Sequence, residues 1–364
     1  MNYFFSLIVV LAPVLSNYVL LGPISIGDFF VFTSVIFLIK HLKINILSIG
    51  SFVVAFIIIL IGFYVLYDEG VNPGFFRIAF YYFLFLFVVS LQKISFEKFF
   101  SVYIYCCIFF SASLIFQWAA YEFLNISLSL QLPIPYYEPD TLKVLDHVFR
   151  SGGWFKEPSY FAIFLIPAIF YLLNQRYYSK YFLLVVAGII STSSLAIFVF
   201  LFSVLVFFIK TKKGWLWLTC SIPVFVVAGF GILHFFSEWT FVSRVVDIFF
   251  DGGTLNERML PVLDIIRLSV NITPNPLAHD LVITAGDNGT VWYSSAAYIL
   301  ASLGWLGFLF ISLNFLRLGI FAGIIVFTLT LTTHIFSGVY SFFIVLAFLG
   351  FNMELRRLKA MSRS

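Results

Sequence analysis

Long apolar stretches separated by short polar ones repeat from one end of the chain to the other. Most run for roughly 15 to 22 residues, the length of a helix that crosses a bilayer, and backbone groups in hydrocarbon must bond within their own segment. The period-two alternation of a barrel strand does not occur. In order, the runs predict spans near 2–21, 29–39, 44–66, 78–91, 99–120, 159–173, 181–192, 194–209, 215–235, 294–313, 318–333 and 335–352. Those at 29–39 and 181–192 are short, so they need flanking residues, a tilt or a re-entrant hairpin. The expected fold class is all-α: one polytopic integral membrane domain over residues 1–364 with about twelve transmembrane helices.

Composition supports this expectation, since 62% hydrophobic and 10% charged residues cannot be covered by enough polar surface to dissolve. The 50 Phe and 19 Tyr are spread evenly, which fits lipid contact and helix packing better than a platform for stacking bases or sugars. Cys106, Cys107 and Cys220 all lie in apolar runs, so neither a disulfide framework nor a zinc motif is implied. The start, Met1-Asn2-Tyr3-Phe4-Phe5, lacks the basic region of a cleavable signal and reads as the beginning of a retained first span.

Charge placement adds an orientation. Lys40, Lys43, Lys93, Lys98, Arg176, Lys180, Lys210, Lys212, Lys213, Arg317 and the tail Arg356, Arg357, Lys359 and Arg363 fall on one side of the twelve-span arrangement. Basic loops resist translocation, which makes that side cytoplasmic and predicts both termini there. Nearly all of the 17 acidic residues fall on the other side. The overall charge of +4 therefore reflects two opposed faces and gives no support to nucleic-acid binding.

Most connections are tight, but two on the outer side are not: residues 121–158 and 236–293, two large loops that contain Trp, Pro, Gly and mixed charge. The first ends in Arg150-Ser-Gly-Gly-Trp-Phe-Lys156-Glu157-Pro158-Ser159-Tyr160. Pro158 suits the first turn of a helix, which places Glu157 and Ser159 at a helix N-terminus, with Arg150 and Lys156 as cationic partners for an anion. The plainer reading has both cations bind lipid headgroups or pair with Glu157 and Asp146. The second loop carries Arg244, Arg258 and Arg267, whose planar forks suit phosphate or carboxylate, and His279, a base near neutral pH or simply a surface residue. For Arg244 a surface pair with Asp247 is the competing role. Within the spans, Gln117, Ser191 to Ser194 and His334 are the main polar interruptions, too few ionisable groups for an ion-coupled transporter. No phosphate-binding glycine loop and no zinc-protease motif occurs.

The stretch Arg150-x-Gly-Gly-x-Phe155-x-Glu157-Pro158-Ser159-x-x-Ala162 resembles the Arg…Gly-x-Phe-x-Glu-Pro-Ser start of a mid-chain span in the bacterial O-antigen polymerases (Wzy) and, more distantly, the O-antigen ligases. Leu303-Gly304-Trp-Leu-Gly307 is similar to that family's Leu-Gly-x-x-Gly start of a later span. The chain departs from the family in having no arginine followed by a glycine eleven residues on, and Pro274-Asn-Pro-Leu-Ala-His-Asp replaces its Pro-x-x-Gly-x-Gly turn. The resemblance implies a lipopolysaccharide glycosyltransferase of the bacterial inner membrane, with 121–158 and 236–293 as its two large periplasmic loops. It would move the growing glycan from undecaprenyl diphosphate to an incoming undecaprenyl-diphosphate-linked repeat unit, with no metal and no cofactor, beside a chain-length regulator protein. Arg150 and Arg258, then Arg267, would hold the departing diphosphate, with Lys156, Ser159 and Arg244 around it. Glu157, ahead of His279, would take the acceptor's proton. An O-antigen ligase and a flippase for lipid-linked oligosaccharides are the alternative expectations.

Overall fold

A computed structural model describes residues 1–22, 24–43, 45–67, 73–92, 94–137, 149, 151–191, 193–210, 294–333, 335 and 338–361. These form eleven α-helices: α1 Tyr3–Leu11, α2 Ile26–Leu38, α3 Ile46–Leu66, α4 Pro73–Val89, α5 Glu97–Leu124, α6 Pro158–Asn174, α7 Tyr178–Ile190, α8 Ser194–Lys210, α9 Ser295–Phe315, α10 Ile320–Thr332 and α11 Val339–Met361. Among the described residues four stretches are long and apolar enough to cross a membrane: Ile46–Leu66, Glu97–Leu124, Ser295–Leu318 and Val339–Arg357. The protein is a predominantly helical, membrane-embedded chain. The predicted run at 215–235 and the loop at 236–293 lie outside the described residues.

The first predicted span is corrected. Instead of a helix over 2–21, α1 stops at Leu11, and a 3-10 turn over Val14–Asn17 follows. Pro13 accounts for the break, because it lacks an amide hydrogen and its ring collides with the preceding turn. Where the end of the span was expected, Val19–Leu21 (β1) pairs with Ile24–Ser25 (β2), just beyond it, in a small antiparallel ribbon with Gly22 between them at φ +52°. Nine residues of helix cover only about 14 Å, well short of a hydrocarbon core.

The chain divides into two units. In the first (residues 1–16, 26–99 and 254–364), α3 shows how packing is written in the sequence. Its buried positions, Ser48, Ser51, Ala55, Ile58, Gly62 and Leu66, recur every three or four residues and mark one face. Most are small, which lets neighbouring backbones approach. A side chain at Gly62 would meet the Ser302 carbonyl at 3.0 Å and the Phe75 ring at 3.2 Å. The other faces expose Ile46, Leu47, Ile49, Val53 and Phe56, as lipid contact requires.

One end of this unit collects basic residues. Arg317, just beyond α9, donates to Asn314, to Ser48 in the first turn of α3 and to Ser90 just after α4. The Lys43 amide donates to the Ser90 carbonyl, and Arg357 of α11 pairs with Glu97 at 3.1 Å and Glu354 at 3.6 Å. The ammonium of Lys98 lies 5.0 Å over the Tyr3 ring.

In the second unit (residues 17–25 and 100–253), α6 is buried on nearly every side and packs with α7 and α8. Pro167 removes the helical bond to the Ile163 carbonyl, and beside it the Tyr103 hydroxyl of α5 bridges the next pair, donating to the Phe164 carbonyl and accepting from the Ala168 amide at 3.3 Å. The helix α5 runs to Leu124, past the expected start of the first loop, and ends where Asn125 adopts φ +53° and Ile126 donates back to Ala120. The following loop docks on the ribbon: Tyr137 donates to Asn17, Val19 donates to Pro135, and Leu132 donates to the Tyr18 hydroxyl.

Candidate functional site

The loop that leads into α6 is fixed from below by buried polar bonds. Gln117, fully buried on α5, donates to the Leu128 carbonyl at 2.6 Å and accepts from the Ser151 hydroxyl at 2.8 Å. Ser151 in turn accepts from the Gly153 amide, and the Trp154 indole donates to Ser113. Phe155 inserts among Phe110, Phe161 and Phe164. These anchors leave Lys156, Glu157 and Ser159 half-buried at the top of the helix.

Both glycines in Ser151-Gly152-Gly153-Trp154 have a steric reason. Gly153 sits at φ +64°, a left-handed conformation that costs other residues about 1 to 2 kcal/mol. At Gly152 an added Cβ would lie 2.6 Å from the Glu157 carbonyl carbon and the Phe155 oxygen, so the loop folds back onto its own backbone.

The helix α6 begins as expected, with Pro158 at its first position and Glu157 as the residue before it, in extended conformation at φ −146°. The Glu157 carbonyl accepts from the Tyr160 and Phe161 amides. Its side chain makes no capping bond; the carboxylate accepts instead from the Ser159 hydroxyl at 3.1 Å. Glu157 is thus a carboxylate with one oriented donor beside the positive end of a seventeen-residue helix. Such a group can accept a proton from an approaching hydroxyl.

Of the residues expected to carry chemistry, the structure brings Glu157 and Ser159 together with Lys156 beside them in sequence. Arg150, Arg244, Arg258, Arg267 and His279 lie outside the described residues, as does His334. Among the described residues no group of three His, Cys, Asp or Glu side chains gathers as a metal ion would require.

Sequence reasoning missed a second polar cluster, in the first unit. Asp28, in the first turn of α2, accepts from the Tyr81 hydroxyl and pairs with Arg77 at 3.5 Å; both partners are on α4. Asp28 is 9% exposed, whereas 44% of the Arg77 side chain is exposed. The predicted spans began at residues 29 and 78, one position after each charge, so the charges read as loop. Pro73, a first-turn residue like Pro158, is the signal that would have moved the start of α4 upstream of Arg77. The motif Leu303-Gly304-Trp-Leu-Gly307 falls inside the predicted run 294–313. It lies within α9 at a kink where two helical stretches meet, with Gly304 at φ +64° and the Gly307 carbonyl accepting from Tyr82.

In comparison with known proteins, no family model matches the chain, and neither a curated protein nor a solved structure matches it.

Proposed function

We propose that this chain is a membrane glycosyltransferase of the O-antigen polymerase class, working where lipid-linked repeat units face the periplasm. The observation that carries the reading is the Glu157 carboxylate, oriented by Ser159 at the start of α6 on a loop whose glycines and buried Gln117–Ser151 bond hold it in place. In the reaction, the hydroxyl of the incoming undecaprenyl-diphosphate-linked unit attacks the anomeric carbon of the growing glycan. Glu157 takes the hydroxyl's proton, and the bond to undecaprenyl diphosphate breaks, leaving the electron pair on the diphosphate oxygen. Departure of a diphosphate needs positive charge where negative charge builds up, the part assigned to Arg150 and Arg258, with Arg267, Arg244 and Lys156 around them. The basic end of the first unit then faces the cytoplasm and the Asp28 end the periplasm.

The test is complementation of a strain lacking the gene, scored by the length of its lipopolysaccharide glycan. Loss of a polymerase leaves core plus one repeat unit, and loss of a ligase leaves bare core. Arg150→Ala and Arg258→Ala are expected to collapse the ladder to one unit, and full-length ladders from both would remove the two arginines from the site. A bare core in the deletion strain would replace this reading with the ligase.

A further inference from the structure

At the basic end of the first unit, positive charge exceeds the acid available to balance it. Among the described residues the two carboxylates there are Glu97 and Glu354, and both are bound by Arg357; Glu354 also accepts from the Phe96 amide at 3.1 Å. Lys98 lies over the Tyr3 ring. Among the described residues Arg317 has only neutral partners: Asn314 at 3.3 Å, Ser48 at 3.4 Å and Ser90 at 3.2 Å. Those three side chains are buried, so they fix the guanidinium, yet they carry no charge to neutralise it. The helix dipole at the end of α9 offsets only part of a unit charge.

The chain also ties a short basic segment to the same spot. Ser90, which accepts from Arg317, offers its carbonyl to the Lys43 amide, and Gln92 donates to the His41 carbonyl at 3.0 Å. This clamp sets Lys40, His41 and the exposed Lys43 beside the end of α4. The His41 imidazole titrates below its usual range, first through partial burial and then through Lys40 and the N-terminal ammonium, with no carboxylate opposing them. Around the cluster the surface is apolar: Ile39, Ile46, Leu47, Leu313 and Leu316 are all exposed, Ile46 to 90%.

We propose that Arg317, Lys40 and Lys43 form a binding site for a phosphate group, and that its occupant is the headgroup of an anionic membrane phospholipid whose acyl chains lie on the flanking apolar side chains. A guanidinium forked onto phosphate and two lysines beside it supply the missing counter-charge, while the exposed leucines and isoleucines match a lipid and not a soluble ion. The site is on the opposite end of α4 from Arg77, about 20 Å away along the helix, and does not depend on the proposed glycosyl transfer.

The test uses the full chain in detergent, titrated with phosphatidylglycerol, phosphatidylcholine or inorganic phosphate, with retained lipid counted by native mass spectrometry and thermal stability followed in parallel. Wild type is expected to retain phosphatidylglycerol in preference to phosphatidylcholine. Arg317→Gln is expected to weaken that retention about fivefold, and Lys40→Gln with Lys43→Gln about twentyfold together. Lys40 and Lys43 are both exposed, so the lysine double variant remains informative if Arg317→Gln fails to fold. Stabilisation by inorganic phosphate to the same degree, lost in the same variants, would keep the phosphate site and reassign its occupant to a soluble anion. Equal retention of the two lipids by wild type, or an undiminished preference in the lysine double variant, would overturn the proposal.

Discussion

Asp28 and Glu157 are both carboxylates at the start of an apolar helix, and their surroundings give them opposite characters. Asp28 is buried, with one oxygen bound by Tyr81 and the other by Arg77. Glu157 is half-buried, with one donor on one oxygen from Ser159. A carboxylate near a helix start thus serves as a staple between α2 and α4 in one unit, from inside the first turn, and as a candidate base in the other, from the residue before the helix. The difference lies in how many donors the neighbouring helix supplies. Exchanging stability for activity between the two sites is the sharpest way to break this comparison. Glu157→Gln is expected to slow glycan elongation by about 100-fold or more while moving unfolding free energy by less than about 0.5 kcal/mol. Asp28→Ala should do the reverse, costing about 2 to 3 kcal/mol on thermal unfolding in detergent with elongation per folded molecule unchanged. It leaves the Tyr81 hydroxyl buried without that acceptor, while Arg77 still reaches solvent, which keeps the loss below that of a fully buried pair. If the Asp28 variant lost elongation and kept its stability, the two roles would have to be exchanged.

The next largest effect concerns how firmly Glu157 is held. Gly152→Ala forces a methyl against the Phe155 and Glu157 backbone and is expected to cost about 2 kcal/mol. Gly153→Ala meets only the Leu114 and Leu130 side chains at ordinary distances, so its cost is confined to the left-handed backbone, about 1 kcal/mol. Elongation should fall further for Gly152→Ala, because that substitution displaces Glu157 itself. Equal losses from the two substitutions would mean that the loop is not what positions the carboxylate. Below these stands Tyr103→Phe, which removes the hydroxyl bridging the Phe164 carbonyl and the Ala168 amide at the Pro167 break and is expected to cost about 1 to 2 kcal/mol. It tests whether the lower half of α6 supports the site at its top.

Why some of this was legible in the sequence and some was not follows from the size of each signal. Apolar runs of helix length mark α3, α5 and α11 unmistakably, because lipid on the outside and helix on the inside both demand the same residues. Pro158 fixed the start of α6 in advance for an equally local reason, its missing amide hydrogen. Pro13 carries the same kind of signal, but the apolar residues on both sides of it read as one span. Asp28 and Arg77 were hidden because a hydrophobicity pattern truncates a run at a charge, whereas a helix continues through one that finds a partner on its neighbour. The Gln117–Ser151 bond joins residues 34 positions apart, so Gln117 stood out only as a polar interruption without an assigned partner.

The smallest expected effect is the most specific. Ser159 contributes one hydroxyl, 3.1 Å from a single carboxylate oxygen, and a hydrogen bond of that kind is worth about 1 kcal/mol, or a factor of about 5 in rate. If the bond orients Glu157 for proton transfer, Ser159→Ala should lower elongation by about that factor at saturating lipid-linked substrate, with thermal unfolding almost unchanged, since the residue is half-buried. Ser159→Thr keeps the hydroxyl and should restore most of the rate. A merely structural hydroxyl would give the opposite pattern, a small loss of stability with normal glycan length. That result beside an inactive Glu157→Gln would leave Glu157 as the base and transfer its positioning to Lys156 or to the helix start itself.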